Sequence, residues 1–281
     1  MKIAFLGYDF FFGCLETIVA NGHEFLWLYT YECDNNYNFN ERVVELANKE
    51  GAFTSYERIT PNDIKNLKDN GCDLIISAAY KYKIPCISNM PRTVNIHPSL
   101  LPEGRGPWPL PHIILKDLEC SGVTIHKVES SFDSGEILIQ DYFTVDKYDN
   151  LETLASKSQI LAKELLTKLL IELDSLWINS IPQIDGSYWE MPNSEQRTLN
   201  WKNGIEDISK KARAFGKFDS FAIFDNKEWI IQDLDVWKKN HNFAIGSVVH
   251  RTDKEIVIAA SDGLVCIRYY KIDSDFVNEK N

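Results

Sequence analysis

Asn95 and His97 stand two positions apart in the run Thr93-Val94-Asn95-Ile96-His97. On a β-strand that spacing points both side chains to the same side. A neutral amide can donate an N–H to an oxygen that is gaining negative charge, which a carboxylate cannot do. An imidazole titrates near neutral pH, so it can take up or return a proton during a reaction. Asp133, 36 positions after His97 in Phe132-Asp133-Ser134-Gly135, adds a carboxylate. It can orient the imidazole, raise its basicity or relay a proton through water. The residue types leave these roles open, and they also leave open a plain pair of polar residues facing solvent at a strand end. Pro98 and Pro102 flank the exit Ser99-Leu100-Leu101, and their fixed backbone suits a polar pair that must be held still.

Such a pair needs a scaffold, and the pattern before it predicts one. Residues 2–6 form a short apolar run ending in Gly7, a helix follows over 14–19 and stops at Asn21-Gly22, and residues 23–30 read as a second strand. Residues 41–49 are helical in pattern, and 61–70 place Pro at a helix start with Gly71 past its end. Residues 73–77 and 93–97 are buried-type strands. Strands alternating with helices imply a Rossmann-like, mostly parallel α/β sheet covered on both faces, with ligands beyond the carboxyl ends of its strands. Residues 122–129 and 136–145 read as strands around a turn at Asp133-Ser134-Gly135, and 151–176 as one long helix or two. A polar, Pro-containing stretch over 181–196 marks the domain boundary, with a catalytic domain over 1–190 and a β-rich, OB-like domain over 191–281. In that second part a helix over 205–215 precedes strands at 221–224, 229–237, 247–250, 255–260 and 265–270.

Composition narrows the function. With 44% hydrophobic residues the chain can bury a core. Thirty basic against 41 acidic side chains give a formal charge of −11, which argues against a broad nucleic-acid-binding face. No stretch has the roughly 18 uninterrupted apolar residues of a membrane helix. Six scattered cysteines without a CxxC pair fit reduced thiols in a cytoplasmic protein. His23, His241 and His250 lack metal-ligand spacing. His112 reads as a packing residue or one approaching the acceptor, and His126 as a packed or half-exposed residue on a strand beside Thr124. Gly7 and Gly13 do not make a dinucleotide fingerprint, so a nicotinamide cofactor is disfavoured.

Asn-x-His, then Ser-Leu-Leu-Pro, then Gly122-Val123-Thr124 and an Asp-x-Gly turn about 36 residues on: in this order and spacing the chain closely resembles the folate-dependent formyltransferases. The resemblance implies an enzyme that moves a formyl group from 10-formyl-tetrahydrofolate to an amine, with no metal. It implies catalytic roles for Asn95, His97 and Asp133. Asn95 would donate to the oxyanion, while His97 would accept the amine's proton or stabilise the oxyanion when charged. It also implies a pterin slot lined by backbone, here at Ala78, Ala79 and Tyr80 and in the Asp loop at Ser131 and Phe132. Tyr80 reads equally well as a packing aromatic.

The second half extends the resemblance. Arg197-Thr198-Leu199-Asn200-Trp201 is similar to the segment that opens the C-terminal domain of methionyl-tRNA formyltransferases and of the enzyme acting on a UDP-linked aminopentose, with Asn200 where Asp is usual. Arg213-Ala214-Phe215 and Ser261-Asp262-Gly263-Leu264 continue the match. The tRNA enzymes carry a long basic loop after the second strand. Here residues 31–40 read YECDNNYNFN, with Glu32 and Asp34 and no Lys or Arg. The expected acceptor is therefore a nucleotide-linked (dTDP- or UDP-) amino sugar, as in surface-glycan biosynthesis. A tRNA formyltransferase and a formyl-tetrahydrofolate hydrolase are the alternatives, although the strand starting at Lys2 leaves no room for the hydrolase's regulatory domain. Arg105, in Gly104-Arg105-Gly106, is the expected partner of the pyrophosphate, or else a loop-holding arginine. Trp108 either walls the acceptor pocket or packs. Trp229, Trp237, Tyr269 and Tyr270 suit either a domain core or a homodimer patch.

Overall fold

A computed structural model describes residues 1–35, 37–216 and 220–272. The chain divides into two compact units, the first comprising Met1–Pro109, Glu119–Val145 and Ala155–Glu190. Its elements begin with β1 (Lys2–Gly7), α1 (Phe12–Ala20), β2 (Glu24–Tyr29), α2 (Glu41–Glu50), β3 (Phe53–Ser55), α3 (Pro61–Asp69), β4 (Leu74–Ala78) and β5 (Arg92–His97). After α4 (Pro109–Leu115) come β6 (Cys120–Lys127), β7 (Ile137–Thr144) and α5 (Leu151–Ile178). The seven strands form one sheet in the order β3-β2-β1-β4-β5-β6-β7. The first five run parallel, β6 is antiparallel to β5, and β7 is antiparallel to β6.

Alternation along the strands sorts the core into two layers. Ile3 and Phe5 of β1, with Leu74 and Ile76 of β4 and Val94 and Ile96 of β5, pack with α1, α2 and α5. Ala4, Leu6 and Ile75 face the other way, onto Ile64 and Leu67 of α3. Because Val94 and Ile96 belong to the first layer, Asn95 and His97 lie on the opposite face. α3 starts where its sequence says it should. Thr60 accepts from the Asp63 N–H, the Asp63 side chain accepts from the Thr60 N–H, and Pro61 occupies the first turn. α5 is one element interrupted at Glu172, whose backbone is non-helical. The three-residue β3 was not anticipated from the sequence pattern.

Chain order reverses at β1: β2 and β3 lie to one side, β4 and β5 to the other. That is a topological switch point, where sheets of this kind open a crevice at the strands' carboxyl ends. Gly7 ends β1 there, paired with Ala78. A Cβ on Gly7 would lie 2.2 Å from the Ala78 carbonyl oxygen, so only glycine lets the two strand ends approach this closely.

The second unit comprises Leu110–Leu118, Asp146–Leu154 and Met191–Asn281. It holds α6 (Ser194–Arg197), β8 (Thr198–Leu199), α7 (Ile205–Phe215), β9 (Ser220–Phe224), β10 (Lys227–Lys238), β11 (Val248–Arg251), β12 (Ile256–Ala259) and β13 (Gly263–Ile272). Their sheet runs β11-β12-β13-β10-β9-β8 and is antiparallel except for β8 against β9. Ile205 and Ile208 of α7 share its core with Phe224, Trp229, Ile231, Ile258 and Val265. Trp229 stacks on Phe224 at 4.8 Å inside that core, whereas Trp237 is exposed. The side chains of Tyr269 and Tyr270 lie outside the described residues. Among the described residues no helix is long and apolar enough to cross a membrane.

Gly7→Ala must push β1 and β4 apart at the switch point. It is expected to cost about 1–3 kcal/mol, read as a lower urea midpoint at unchanged slope.

Candidate active site

β5 delivers Asn95 and His97, and β6 lies antiparallel beside it with Asn95 opposite His126 and His97 opposite Thr124. The turn after β6 brings in Asp133, whose φ of +53° is a left-handed conformation that Asp adopts more readily than most residues. The carboxylate is the hub. Its Oδ1 accepts from Asn95 Nδ2 at 3.2 Å and its Oδ2 from the Gly106 N–H at 2.9 Å. His97 Nδ1 and His126 Nε2 each lie 3.6 Å from Oδ1. Only 6% of the His97 side chain and 10% of the Asp133 side chain are exposed.

Hydrogen bonding fixes both imidazole tautomers. His97 Nε2 is 2.8 Å from the Gly104 carbonyl oxygen, which can only accept, so Nε2 carries the proton and the Nδ1 lone pair of neutral His97 faces Asp133. His126 Nδ1 likewise donates to the Lys127 carbonyl at 2.8 Å, leaving Nε2 to accept from Asn95 Nδ2 at 3.2 Å. Asn95 therefore directs both amide protons inward, one to His126 and one to Asp133. Both bonds are at the long end of the normal range. An oxyanion that recruits Asn95 must displace one of them.

The same contacts set the charges. Burial lowers the His97 pKa below the ordinary 6.5, against the upward pull of Asp133 and the Gly104 carbonyl, and His126 lowers it further. For Asp133 burial works upward, but His97, His126 and the Gly106 N–H overcome it and hold the carboxyl at about 2. At neutral pH the site thus holds an ionised carboxylate beside a neutral imidazole. A neutral imidazole beside an ionised carboxylate suits a proton acceptor and its electrostatic partner.

The loop leaving β5 is pinned by side chains. Thr124 Oγ1 donates to the Ser99 carbonyl at 2.7 Å and accepts from the Leu101 N–H at 3.1 Å. Gln140 Nε2 donates to the Leu101 carbonyl at 2.9 Å. Arg105 lies on this loop with its guanidinium engaged: Nε donates to Gln183 Oε1 at 2.9 Å and Nη2 to the Asp185 carbonyl at 2.8 Å. Trp108 is half-buried three residues further on.

Of the expected slot residues, Ala78 is buried and Ala79 turns the chain out of β4 with a φ of +60°. The Tyr80 ring belongs to the core, where its hydroxyl accepts from the Ile59 N–H at 3.0 Å. Ser131 and Phe132 are exposed, Phe132 by 53%, and the Lys83 ammonium lies 5.9 Å from the Phe132 ring centroid. The structure thus joins Asn95, His97 and Asp133 and adds two residues that sequence reasoning missed. His126 is buried, as read, but it belongs to the site; the signal was its strand register with Asn95, visible once β5 and β6 pair. Gln183 arrives from the polar stretch taken as a boundary, and no local pattern marks it.

Residues 33–170 match the family model described as formyl transferase, and residues 193–275 match its C-terminal domain. The methionyl-tRNA formyltransferase of Enterococcus faecalis is 30% identical over 209 residues, covering 72% of this chain and 67% of that protein. The enzyme of that name from Prochlorococcus marinus is 30% identical over 235 residues, covering 76% and 71%. Among solved structures, an N-formyltransferase from Helicobacter canadensis in complex with folinic acid and dTDP-3-aminofucose aligns at TM-score 0.71 and 17% identity, over 96% of this chain and 100% of that one. HypX from Aquifex aeolicus, in complex with tetrahydrofolic acid, aligns at TM-score 0.73 and 20% identity. The alignment takes in 98% of this chain but only 44% of HypX. At these identities the structural likenesses speak to the fold.

By NMR, His97 is expected to titrate with a midpoint below 6.5, and Asp133→Asn should lower it further by removing the upward pull. A midpoint above 6.5 contradicts the geometry. The stability sign follows. The unfolded chain protonates this histidine near 6.5, before the native site does, so acidification below that value favours unfolding. Asp133 adds stability above the unfolded carboxylate value, which is lost as pH falls toward about 2.

Proposed function

The chain belongs to the formyl transferase family, and on that premise we propose that it carries a formyl group from 10-formyl-tetrahydrofolate to the amine of a dTDP- or UDP-linked amino sugar. Asn95, His97 and Asp133 are the catalytic residues in this reading. The observation that carries the choice of acceptor is the stretch after β2. Asp34 folds it back on itself, its Oδ1 accepting from the Tyr37 and Asn38 N–H groups at 2.8 Å each. The stretch over 31–40 bears Glu32 and Asp34 and no Lys or Arg. A polyanionic acceptor stem needs many cations, whereas a sugar nucleotide has one pyrophosphate. The sequence relatives named for methionyl-tRNA support the competing acceptor, and the assay below separates the two.

The residues present suit a folate. Ala79 offers a methyl and Tyr80 turns its ring into the core, so this stretch presents backbone, with the exposed Phe132 ring on the Asp133 loop. Ala78, Ala79, Tyr80, Ser131 and Phe132 would hold the pterin by backbone hydrogen bonds and ring contact. When bound, the folate supplies the formyl carbon as electrophile and a nitrogen as leaving group. One N–C bond forms to the acceptor amine, one C–N bond breaks, and one proton passes from the amine to the departing nitrogen.

This chain's residues manage that proton and the charge on oxygen. His97 Nδ1 holds the lone pair, because Gly104 fixes the proton on Nε2. Taking the amine proton makes an imidazolium beside an ionised Asp133, and that pairing favours the transfer. Asn95 exchanges one of its 3.2 Å hydrogen bonds for the oxygen that becomes negative. On the acceptor side we assign Arg105 and Trp108. Arg105 contributes positive charge from a guanidinium already braced by Gln183 and Asp185.

Incubation with 10-formyl-tetrahydrofolate and a panel of dTDP- and UDP-linked amino sugars should add one formyl group to one of them, read by mass. Transfer only to aminoacyl-tRNA or to water would overturn the proposal. His97→Asn should keep the fold and folate binding while turnover drops on the order of 100- to 10,000-fold.

A further inference from the structure

We propose that Gln183 is a positioning residue for the transfer reaction, holding the Asp133 turn in register with His97 from a segment outside the sheet. The proposal rests on the reading that His97 and Asp133 do the chemistry. Gln183 lies in a mostly exposed stretch, with Pro182 and Ile184 facing solvent, yet its own side chain turns inward. Both protons of its amide go to the Asp133 turn: Nε2 donates to the Asp133 carbonyl at 2.9 Å and to the Gly135 carbonyl at 2.7 Å. Its oxygen accepts from Arg105 Nε at 2.9 Å. The reversed amide would set an oxygen against two carbonyls and an NH2 against a guanidinium, so one orientation remains.

The side chain is staked at both ends of its segment. Ile181 exchanges two 2.8 Å backbone hydrogen bonds with Ile137 of β7. Beyond Gln183, the Arg105 N–H donates to the Ser187 carbonyl at 3.0 Å and the Trp189 N–H to the Arg105 carbonyl at 2.7 Å. Ser187 Oγ also accepts from the Gly104 N–H at 3.1 Å. Gly104 is the residue whose carbonyl fixes the His97 tautomer. One segment therefore grips the backbone beneath the carboxylate and the backbone that orients the imidazole. The Asp133 turn needs such a grip, because its φ is positive and its residue is not glycine.

Two substitutions separate positioning from packing. Gln183→Met keeps length and bulk but loses all three hydrogen bonds. Gln183→Glu still accepts from Arg105 but turns an oxygen toward the Asp133 and Gly135 carbonyls. Both are expected to lower kcat on the order of 10- to 100-fold; Gln183→Glu, which keeps the contact to Arg105, should leave the acceptor KM within about twofold. In the free enzyme, without any substrate, Gln183→Met should lower the His97 titration midpoint seen by NMR, because the carboxylate retreats from it, whereas the negative charge added by Gln183→Glu pulls the midpoint the other way and that variant is judged on kcat. Folding is checked by circular dichroism, and if Gln183→Met fails to fold, Gln183→Glu decides. A folded Gln183→Met with wild-type kcat and a wild-type His97 midpoint would overturn the proposal, as would a wild-type kcat in Gln183→Glu alone. If the midpoint moves as expected but the wild-type enzyme formylates no amino sugar, the acceptor assignment fails and the positioning role stands.

Discussion

A carboxylate with a tenth of its side chain exposed sits at the centre of the site, and its surroundings keep it charged. An unpaired buried charge is costly enough that the group would normally protonate instead. Asp133 avoids this by collecting two donors, Asn95 on β5 and the Gly106 N–H on the following loop, with the imidazoles of His97 and His126 each 3.6 Å from its Oδ1. His97 depends on this in turn. Burial makes it a neutral imidazole at rest, and the neighbouring charge gives it a reason to accept a proton. Neither group would be suited to its part without the other.

What brings the donors together is the reversal of strand direction after β5. Five parallel strands would leave β5 at an edge. The antiparallel return of β6 sets His126 opposite Asn95 and Thr124 opposite His97. Thr124 then uses its hydroxyl to hold the loop leaving β5, at Ser99 and Leu101. That loop carries Gly104 and Gly106, whose carbonyl and N–H reach His97 and Asp133 respectively. Two contacts of the site, one to His97 and one to Asp133, are thus made by the backbone of a pinned loop.

This division governs how much was legible beforehand. Strands and helices of the first unit were readable because their apolar runs and caps are local, as at Thr60-Pro61 and Gly71. Asn95, His97 and Asp133 stand out by a strand spacing and a turn composition that are also local, but only the order of motifs shared with the formyltransferases singles them out as catalytic candidates. The three residues of β3 carry too short a pattern to register. The role of His126 depends on which residue of β5 it faces, a matter of register between strands. Gln183 depends on pairings 48 and 50 residues distant, and its flanks look like linker. Arg105 reads from sequence as either phosphate partner or loop brace, and its hydrogen bonds to Gln183 and Asp185 come from residues 78 and 80 positions away, which no local pattern shows.

In the proposed reaction Asn95, His97 and Asp133 deal only with reacting atoms, so acceptor choice would lie outside the centre. At the carboxyl edge of the sheet several acidic groups are already engaged within the fold. Asp9 accepts from the N–H groups of Arg42 and Val43 at the start of α2, and Asp34 closes its own loop. The cations that follow β4 are few and sit over rings. Lys81 lies 4.1 Å from the Tyr31 ring centroid and Lys83 lies 5.9 Å from that of Phe132. Both are exposed. RNA affinity grows with the number of phosphates neutralised at once. Two lysines, with Glu32 and Asp34 on the stretch that carries Tyr31, would give a poor grip on a polyanion. In the proposed amino-sugar reading they would suffice for a single pyrophosphate, and the rings beneath them would suit its base and sugar.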